Sequence, residues 1–171
     1  MIKHLPGRTE QELQAVMKNL SPQEKLETGV RQGMAWLVRD AIAVGADVHA
    51  YDDYALQLAS TYGHAGVVKL LLDAGANVHA DGDWALRWAS DYGHAEVVKA
   101  LLGAGANVHA RDDFALWWAS ENGHAEVVRL LLDARANVHA YNNQALRWAE
   151  NNERIEVVNI LKQHINEKRP D

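Results

Sequence analysis

The sequence contains no cysteine among its 171 residues. Disulfides, thiolate metal sites and cysteine nucleophiles are therefore excluded, and the composition fits a reducing compartment. No apolar run approaches the roughly 18 residues that a membrane-spanning helix needs. The first residues also lack the apolar core of a signal peptide. We therefore expect a cytoplasmic protein that has no membrane partner.

An excess of basic residues is also lacking. Lysine and arginine together number 17 against 23 acidic residues, which gives a net charge of -6. A protein that binds nucleic-acid phosphates needs a basic surface, so this balance argues against such a partner. Apolar residues make up 48% of the chain, which is enough for a hydrophobic core in one domain of ordinary size.

What the chain does contain is a repeat of 30 residues. Val-His-Ala recurs at 48–50, 78–80, 108–110 and 138–140, and Gly-His-Ala recurs at 63–65, 93–95 and 123–125. A fixed period of this size is typical of stacked supersecondary units, none of which can bury its apolar face alone. Such stacks usually present surfaces to partners, so the repeat favours binding over catalysis.

Residues 51–80 show how one unit is built. Asp53 is a suitable N-cap for a short helix from about Tyr54 to Thr61. Gly63 should end that helix, and a second helix should run over about 65–74. Gly75 suits the left-handed position after a helix. The unit is therefore predicted to be helix, turn, helix and connector.

Helical phase identifies the core side of each helix. Successive residues are about 100° apart, so Leu56, Ala59, Ser60 and Gly63 share one side of the first helix. Val68, Leu71 and Leu72 share one side of the second helix in the same way. The same pattern at 81–110 and 111–140 predicts a continuous core along the stack.

The two ends differ from the central units. Ser21, Pro22 and Glu24 fit a capping box with proline at the first helical position, and a helix through about Asn19 should cover the first unit. Lys162 replaces the leucine found at 132 in the previous unit, which gives the last unit a polar outer face. We predict an N-terminal segment with this capping helix, a solenoid and a C-terminal tail, with these bounds: 1–20; 21–166, in units 21–50, 51–80, 81–110, 111–140 and 141–166; and 167–171.

The repeats resemble a known family. "GHAEVVKALLGAGANVHA" at 93–110 resembles the second half of an ankyrin repeat, and "DWALRWAS" at 83–90 is similar to its first helix. The resemblance covers about residues 21–166. The period is three residues shorter than the usual ankyrin unit, and Tyr-Ala-Leu-Gln, Trp-Ala-Leu-Arg or Phe-Ala-Leu-Trp stands in place of Thr-Pro-Leu-His. This short form resembles repeats of giant DNA viruses and some bacteria. The resemblance implies an all-α, ankyrin-like helix-turn-helix solenoid with shortened hairpin connectors.

Aromatic residues collect on one side of the first helices, opposite the core. From Leu56, residue 58 is about 200° around the helix, and 54 and 62 are its neighbours one turn away. We call this stripe, together with Trp117 beside it, the aromatic face. It carries nine of the chain's twelve aromatic residues. Its members in the four units are Tyr54, Leu58 and Tyr62; Trp84, Trp88 and Tyr92; Phe114, Trp118 and Asn122; and Gln144, Trp148 and Asn152.

The ankyrin resemblance implies that the first helices line the concave side of the solenoid. Neighbouring units should then place Trp88, Trp118 and Trp148 in a row about 10 Å apart, the usual distance between packed helices. Two interpretations remain open. The tryptophans either pack on each other between helices, or they form a recognition surface, since Trp, Tyr and Arg are common anchors of interfaces. The same face could also mediate self-association.

For a recognition surface, the candidate anchors are Trp88, Trp118 and Trp148. The candidate residues around them are Tyr62, Tyr92, Trp84, Phe114 and Trp117, with polar contacts from Arg87 and Arg147. An acidic rim would suit a protein or peptide partner with Arg or Lys, through charge and cation–π contacts. The rim would consist of Asp52, Asp83, Asp91, Asp113 and Glu121.

Seven of the nine histidines, from His49 to His139, lie 15 residues apart. His64 and His79 bracket a helix of about ten residues, so they should be roughly 15 Å apart. Zinc needs ligand nitrogens at about 2 Å. The histidines are therefore predicted to make hydrogen bonds in turns and connectors, with no metal and no cofactor.

No catalytic motif is recognisable. The serines at 60, 90 and 120 recur with the unit on the core side of a helix, and no phosphate-binding glycine loop or His-Glu-x-x-His sequence occurs. We therefore expect a non-enzymatic protein–protein interaction module that is monomeric. The alternative is a structural or self-associating scaffold without a natural ligand. The near-identity of the central units would also fit recent duplication or a consensus design.

Overall fold

The computed structural model describes residues 17–167. In that range the chain forms ten α-helices and no strand, so the predicted all-α class is confirmed. Odd-numbered helices are the first helices of the units, and even-numbered helices are the second. The bounds are α1 Pro22–Gln32, α2 Ala35–Ala43, α3 Ala50–Thr61, α4 Ala65–Asp73, α5 Ala80–Asp91, α6 Ala95–Gly103, α7 Phe114–Asn122, α8 Ala125–Asp133, α9 Ala140–Asn151 and α10 Ile155–Glu167.

The helices form two layers. Each odd-numbered helix packs against the next odd-numbered helix, and each even-numbered helix packs against the next even-numbered one. The core between the layers is continuous along the stack, as predicted. Leu56 and Leu71 are almost completely buried in it, and their equivalents in the other central units repeat this burial. Val67 is also buried, whereas Leu72 is only partly so.

The turns of the unit follow from glycine. Gly63 has φ 74° and Gly75 has φ 93°, both in the left-handed region that glycine adopts at little cost. The N–H of Ala76 then donates to the Leu71 carbonyl at 3.0 Å and closes the helix end. The predicted break at Gly63 and the left-handed position of Gly75 are confirmed.

The beginning of α1 is capped as predicted. The N–H of Glu24 donates to Ser21 Oγ at 3.3 Å, and the N–H of Ser21 donates to Glu24 Oε2 at 2.9 Å. Pro22 occupies the first turn, where no main-chain donor is needed. Among the residues of the predicted helix before α1, Met17 is buried. The chain turns at Lys18 and Asn19, so the helix does not extend through Asn19, and the part of the prediction that falls on residues 1–16 lies outside the described range.

A short left-handed turn, the connector, opens α3, α5 and α9 within the bounds given above and directly precedes α7, whereas α1 follows the extended Ser21. Tyr51, Asp52 and Asp53 have φ of 54°, 59° and 57°, and the three equivalent residues of each later unit are also left-handed. The prediction that Asp53 caps its own helix is wrong. Asp113, its equivalent two units later, likewise makes no side-chain capping bond to α7. The regular helix still begins at the residue after this aspartate.

The buried aspartate of each connector joins the start of its unit to the connector at the end of the same unit. The N–H of Asn77 donates to Asp53 Oδ1 at 2.8 Å, and His49 Nδ1 donates to the same oxygen at 3.0 Å. The pattern recurs at Asp83 and Asp113, each of which accepts from the asparagine N–H 24 residues later. We call this contact the aspartate link. It offsets the cost of the left-handed turn because a charged acceptor satisfies a main-chain donor.

The end units use modified versions of this link. Before α1, Gln23 Oε1 accepts from the N–H of Asp47 at 3.1 Å, again over 24 residues. In the last unit Asn143 replaces the aspartate, and its Oδ1 accepts from His139 Nδ1 at 2.7 Å. The residue 24 positions after Asn143 is Glu167, within α10, so this unit has no connector asparagine at that position.

The second set of links uses the Gly-His turns. His94 Nε2 donates to the Thr61 carbonyl at 2.9 Å, and His124 Nε2 donates to the Asp91 carbonyl at 2.8 Å. In the last unit Arg154 replaces histidine and donates to the Glu121 carbonyl at 3.0 Å. We call these contacts, all over 33 residues, the histidine links. The predicted turn and connector hydrogen bonds of the histidines are confirmed.

Arg135 occupies a left-handed position that is glycine in the units before it. Its φ is 69°, and it stands where Gly75 and Gly105 have φ of 93° and 92°. We expect Arg135→Gly to raise the free energy of unfolding by about 1 kcal/mol, because a side chain disfavours this conformation. Urea denaturation measures the gain. Arg135→Ala keeps Cβ and is the control; equal stability of the two variants would contradict the backbone explanation.

Candidate functional site

The aromatic face contains one connected cluster of rings. Its members are Trp84, Trp88 and Tyr92 on α5, Phe114, Trp117 and Trp118 on α7, and Tyr141 and Trp148 on α9. Trp88 is central, with ring centroids 5.0 Å from Trp84, 5.7 Å from Tyr92 and 5.4 Å from Trp118. Spacing by four residues explains the contacts along α5, and stacking of the units explains those between helices.

The rings do not form the expected row at 10 Å. Trp88 and Trp118 lean toward each other, and their centroids are 5.4 Å apart. Trp148 instead contacts Trp117, with centroids 6.4 Å apart. The helix spacing sets where the rings begin, but side-chain rotamers decide which rings meet.

Packing and exposure occur together on this face. Trp84, Trp88, Phe114, Trp117 and Trp118 are half-buried. The exposed fraction is 50% for Tyr92, 46% for Tyr62 and 37% for Trp148. The cluster therefore contributes to contacts between units and still presents aromatic surface to solvent. Tyr62 is outside the connected cluster, and its ring lies 6.0 Å from that of His64.

Arg87 does not point to solvent as expected. It is only 7% exposed, and its Nε and Nη2 donate to the carbonyls of Gly82 and Asp81 at 3.1 and 2.8 Å. Burial, and then the nearby charge of Arg111, lower the pKa of the Arg87 guanidinium. Gln57, one unit earlier, donates to the Asp52 carbonyl in the same manner. Arg87 and Gln57 therefore donate hydrogen bonds to the carbonyls of the left-handed connectors, whereas the equivalent Arg147 is exposed.

Trp117 occupies the same position in the next unit. Its indole Nε1 is buried and has no hydrogen-bond acceptor within residues 17–167. The ring instead stacks near Phe114, with centroids 4.7 Å apart. Trp117 thus makes an aromatic contact within the ring cluster, in place of the hydrogen bonds that Arg87 donates to its connector.

The five acids predicted as a rim do not form one exposed set. Asp83 and Asp113 are buried in aspartate links and are not part of an exposed rim. Asp52 is exposed. Asp91 lies in the last turn of α5 and Glu121 in the last turn of α7, and both are half-buried. The last two follow the rings of Trp88 and Trp118 by one helical turn.

Asp91 is the most constrained of the three acids outside the aspartate links. Asn122 Nδ2 donates to Asp91 Oδ1 at 2.8 Å and also to the Trp118 carbonyl at 3.1 Å. His124 donates to the main-chain oxygen of the same aspartate at 2.8 Å. Burial raises the pKa of Asp91, and the Asn122 hydrogen bond opposes that rise. The Asn122 hydrogen bond therefore holds the carboxylate in place, while burial makes its ionised form less favourable.

We expect Asp91→Asn to raise Tm by about 1–3 °C at pH 7, an effect kept small by partial solvent screening. Because its pKa is raised above the usual 3.8, the folded protein binds this proton more tightly than the unfolded chain. Stability therefore falls as pH rises through the interval above 3.8. The gain should disappear below about pH 4. Melting curves from pH 3.5 to 7.5 measure it, with Glu96→Gln as the charge control. A gain that persists at low pH would contradict this cause.

Sequence reasoning missed two features of the face. Tyr141 lies in a connector, outside the helical stripe, yet its ring centroid is 6.4 Å from that of Phe114. The bond between Asn122 and Asp91 spans 31 residues. A search for complementary polar pairs about one unit apart would have found the second feature, because residues one period apart are stacked neighbours.

Comparison with known proteins is decisive for the family. The family model described as "Ankyrin repeats (3 copies)" matches residues 26–112 and 109–171. The chain belongs to the ankyrin repeat family. Ankyrin repeats are generally protein-interaction modules, and the family is typically non-enzymatic. No curated protein matches this ankyrin-repeat sequence.

Two further properties of this ankyrin-repeat chain concern what it could bind. Among residues 17–167, no helix is long and apolar enough to cross a membrane. The same residues contain no group of three or more His, Asp or Glu side chains placed to hold a metal ion. What distinguishes its surface is the ring cluster, which is continuous over three units.

Proposed function

We propose that this ankyrin-repeat protein binds a protein partner noncovalently on its aromatic face. The observation that carries the proposal is the cluster of eight rings on α5, α7 and α9, which remains partly exposed. Tryptophan and tyrosine supply large contact areas and are the side chains most often found as anchors of interfaces. A connected set of them on adjacent repeats offers a partner one extended surface.

The surface is suited to binding without reorganisation. Ring contacts between units fix Trp88 against Trp118 and Trp117 against Trp148. The aspartate and histidine links hold the same units by hydrogen bonds. A partner that binds a face already fixed in this manner loses less free energy to ordering of side chains and main chain.

The expected contributions of the residues differ with their exposure. Among the predicted anchors and the residues around them, Tyr62, Tyr92 and Trp148 would touch the partner first, because they are the exposed ones. Arg147 is exposed and would add a polar contact. The half-buried rings would provide the platform beneath the partner: Trp84, Trp88, Phe114, Trp117 and Trp118. Arg87 is left out of direct contact because it holds a connector.

Affinity capture with matched variants tests the proposal. The triple variant Tyr62→Ser, Tyr92→Ser, Trp148→Ser removes the three exposed rings among the predicted contact residues, and a thermal melt verifies that it is folded, since exposed substitutions usually change stability by less than about 0.5 kcal/mol each. The double variant Val44→Ser, Ile155→Ser is the control, because it removes exposed apolar side chains outside the face. A protein retained by the wild type and the control but lost from the triple variant supports the proposal. Equal retention by all three would contradict it.

The alternative is a scaffold that associates with itself. Light scattering from micromolar to millimolar concentration separates the two, because a binding module remains monomeric and a scaffold grows in mass. We propose a monomer, and a cytoplasmic location compatible with the cysteine-free composition. A concentration-dependent mass that the triple variant abolishes would instead assign the face to a second copy of the chain.

A further inference from the structure

The charges of the three central units are divided unequally between the two layers. The connectors and first helices, residues 51–62, 81–92 and 111–122, carry eight carboxylates and two arginines. The turns and second helices, residues 63–80, 93–110 and 123–140, carry four acidic and four basic residues. The excess negative charge of these units therefore lies wholly in the layer that bears the aromatic face.

Much of this charge is already engaged within the protein. The three aspartates of the aspartate links accept from histidine and from main-chain N–H groups. Asp81 lies 3.6 Å from the Arg111 guanidinium, and the Tyr141 hydroxyl bonds to Asp112. Arg87, the other basic residue of the layer, is turned inward to the connector. These groups are not free to select a partner.

Asp91 and Glu121 are different. Within residues 17–167, no lysine or arginine nitrogen lies within 4.0 Å of either carboxylate, so neither forms an ion pair with these residues. Each lies one helical turn from a tryptophan of the ring cluster, Asp91 from Trp88 and Glu121 from Trp118. Asn122 holds one oxygen of Asp91 and leaves the other available. Among residues 17–167, two carboxylates without a lysine or arginine ion pair thus lie one helical turn from ring-cluster tryptophans on adjacent units.

We infer that the partner of the aromatic face is a polypeptide segment carrying lysine or arginine, whose cationic groups bind Asp91 and Glu121. The alkyl part of each basic side chain would lie on a neighbouring ring, and its charge would meet both the ring face and the carboxylate. Arginine is the better fit because its planar guanidinium stacks on aromatic rings and can bind a carboxylate through two N–H groups. The inference rests on the proposed function and names the chemistry of its partner.

The held position of Asp91 supports this assignment. Burial raises its pKa, so the ionised carboxylate is less stable in the free protein than it would be beside a cation. The Asn122 amide, 2.8 Å from Asp91 Oδ1, fixes this carboxylate one helical turn from Trp88. A basic side chain would supply the missing counter-charge without requiring Asp91 to move.

The experiment selects ligands from a displayed library of random dodecapeptides on immobilised full-length protein. Selection is repeated on the triple variant Tyr62→Ser, Tyr92→Ser, Trp148→Ser. The dissociation constants of the enriched peptides are then measured by calorimetry with two charge variants. Asp91→Asn, Glu121→Gln removes two carboxylates beside the rings. Glu96→Gln, Glu126→Gln removes two exposed carboxylates from α6 and α8 and is the control for net charge.

Three outcomes are distinguishable. We expect peptides that depend on the three rings, are enriched in Lys or Arg, and bind about tenfold more weakly to Asp91→Asn, Glu121→Gln but unchanged to the control. Ring-dependent peptides without excess basic residues, or affected equally by both charge variants, would overturn the inference and leave the proposed function intact. No ring-dependent peptide at all would overturn both.

Discussion

Replacement of Asp83 by alanine is expected to lower the free energy of unfolding by about 3 kcal/mol. The carboxylate is 4% exposed and accepts from the N–H of Asn107 at 2.7 Å and from His79 Nδ1 at 3.1 Å. Alanine would leave both donors without this acceptor, and hydrogen bonds to a charged group are worth about 1.5–3 kcal/mol. The connector would also keep its left-handed conformation without the contact that offsets its cost.

The position of Asp83 in the array increases the effect. It closes the central unit, which packs against a unit on each side, and the stability of a repeat array depends on the stability of each unit as well as on contacts between neighbours. In a domain of this size, 3 kcal/mol corresponds to a fall in Tm of roughly 6–12 °C. Thermal unfolding followed by circular dichroism measures it.

The chain supplies its own controls for this variant. Asn143 occupies the equivalent position in the last unit, where its Oδ1 accepts only from His139 among the bonds described above. Asn143→Ala should therefore cost less than about 1 kcal/mol. Asp83→Asn keeps the oxygen acceptor and should recover part of the loss. A Tm for Asp83→Ala within about 2 °C of the wild type would show that the link contributes little.

The second large effect is expected at Gly93. This residue has φ 74°, and a Cβ atom there would lie 2.5 Å from His124 Nδ1. Gly93→Ala is expected to cost about 3 kcal/mol, because the left-handed backbone costs about 1 kcal/mol with a side chain and the imidazole must also move. Movement of His124 weakens its bond to the Asp91 carbonyl, which is 2.8 Å long.

Gly105 provides the matched control for Gly93. It is also left-handed, with φ 92°, but an added Cβ would meet nothing within 4 Å. The difference between Gly93→Ala and Gly105→Ala therefore isolates the cost of displacing His124. Urea denaturation should show Gly93→Ala to be the less stable by about 1.5 kcal/mol or more. In a His124→Ala background that difference should largely vanish, and its persistence would assign the cost to the backbone alone.

The regular parts of the fold could be predicted because they depend on local periodicity. The phase of Leu56 and Ala59 on α3 and of Val68 and Leu71 on α4 gave the core correctly. Left-handed glycines and the Ser21 capping box were equally local signals. Each requires only the identities of residues within a few positions along one helix or turn.

Asp53 was wrongly predicted because its function is not local. An aspartate before a helix usually accepts from the first turn of that helix. Here a left-handed turn directs the carboxylate toward the connector at the far end of the same unit, where Asn77 is the donor. The constant separation of 24 residues between aspartate and asparagine in three units was present in the sequence, and it indicates such a link once the units are known to stack.

The arrangement of the rings could be predicted only in part. Helical phase placed Trp88, Trp118 and Trp148 on one side of the first helices. It did not predict that Trp148 contacts Trp117, because rotamers and the lean of side chains between units decide that pairing. The inward position of Arg87 likewise depends on the carbonyls that the left-handed connector presents.

The links within and between units have a consequence for how such a gene can change. The histidine links span 33 residues and join adjacent units, and the aspartate links span 24 residues and close each unit, so each repeat presents the same donors and acceptors. Recombination between copies could add or delete a whole unit without leaving a link open. Only the ends need their own solutions, which Gln23 and Arg154 supply. The length of the aromatic face can therefore evolve separately from the chemistry that holds one unit to the next.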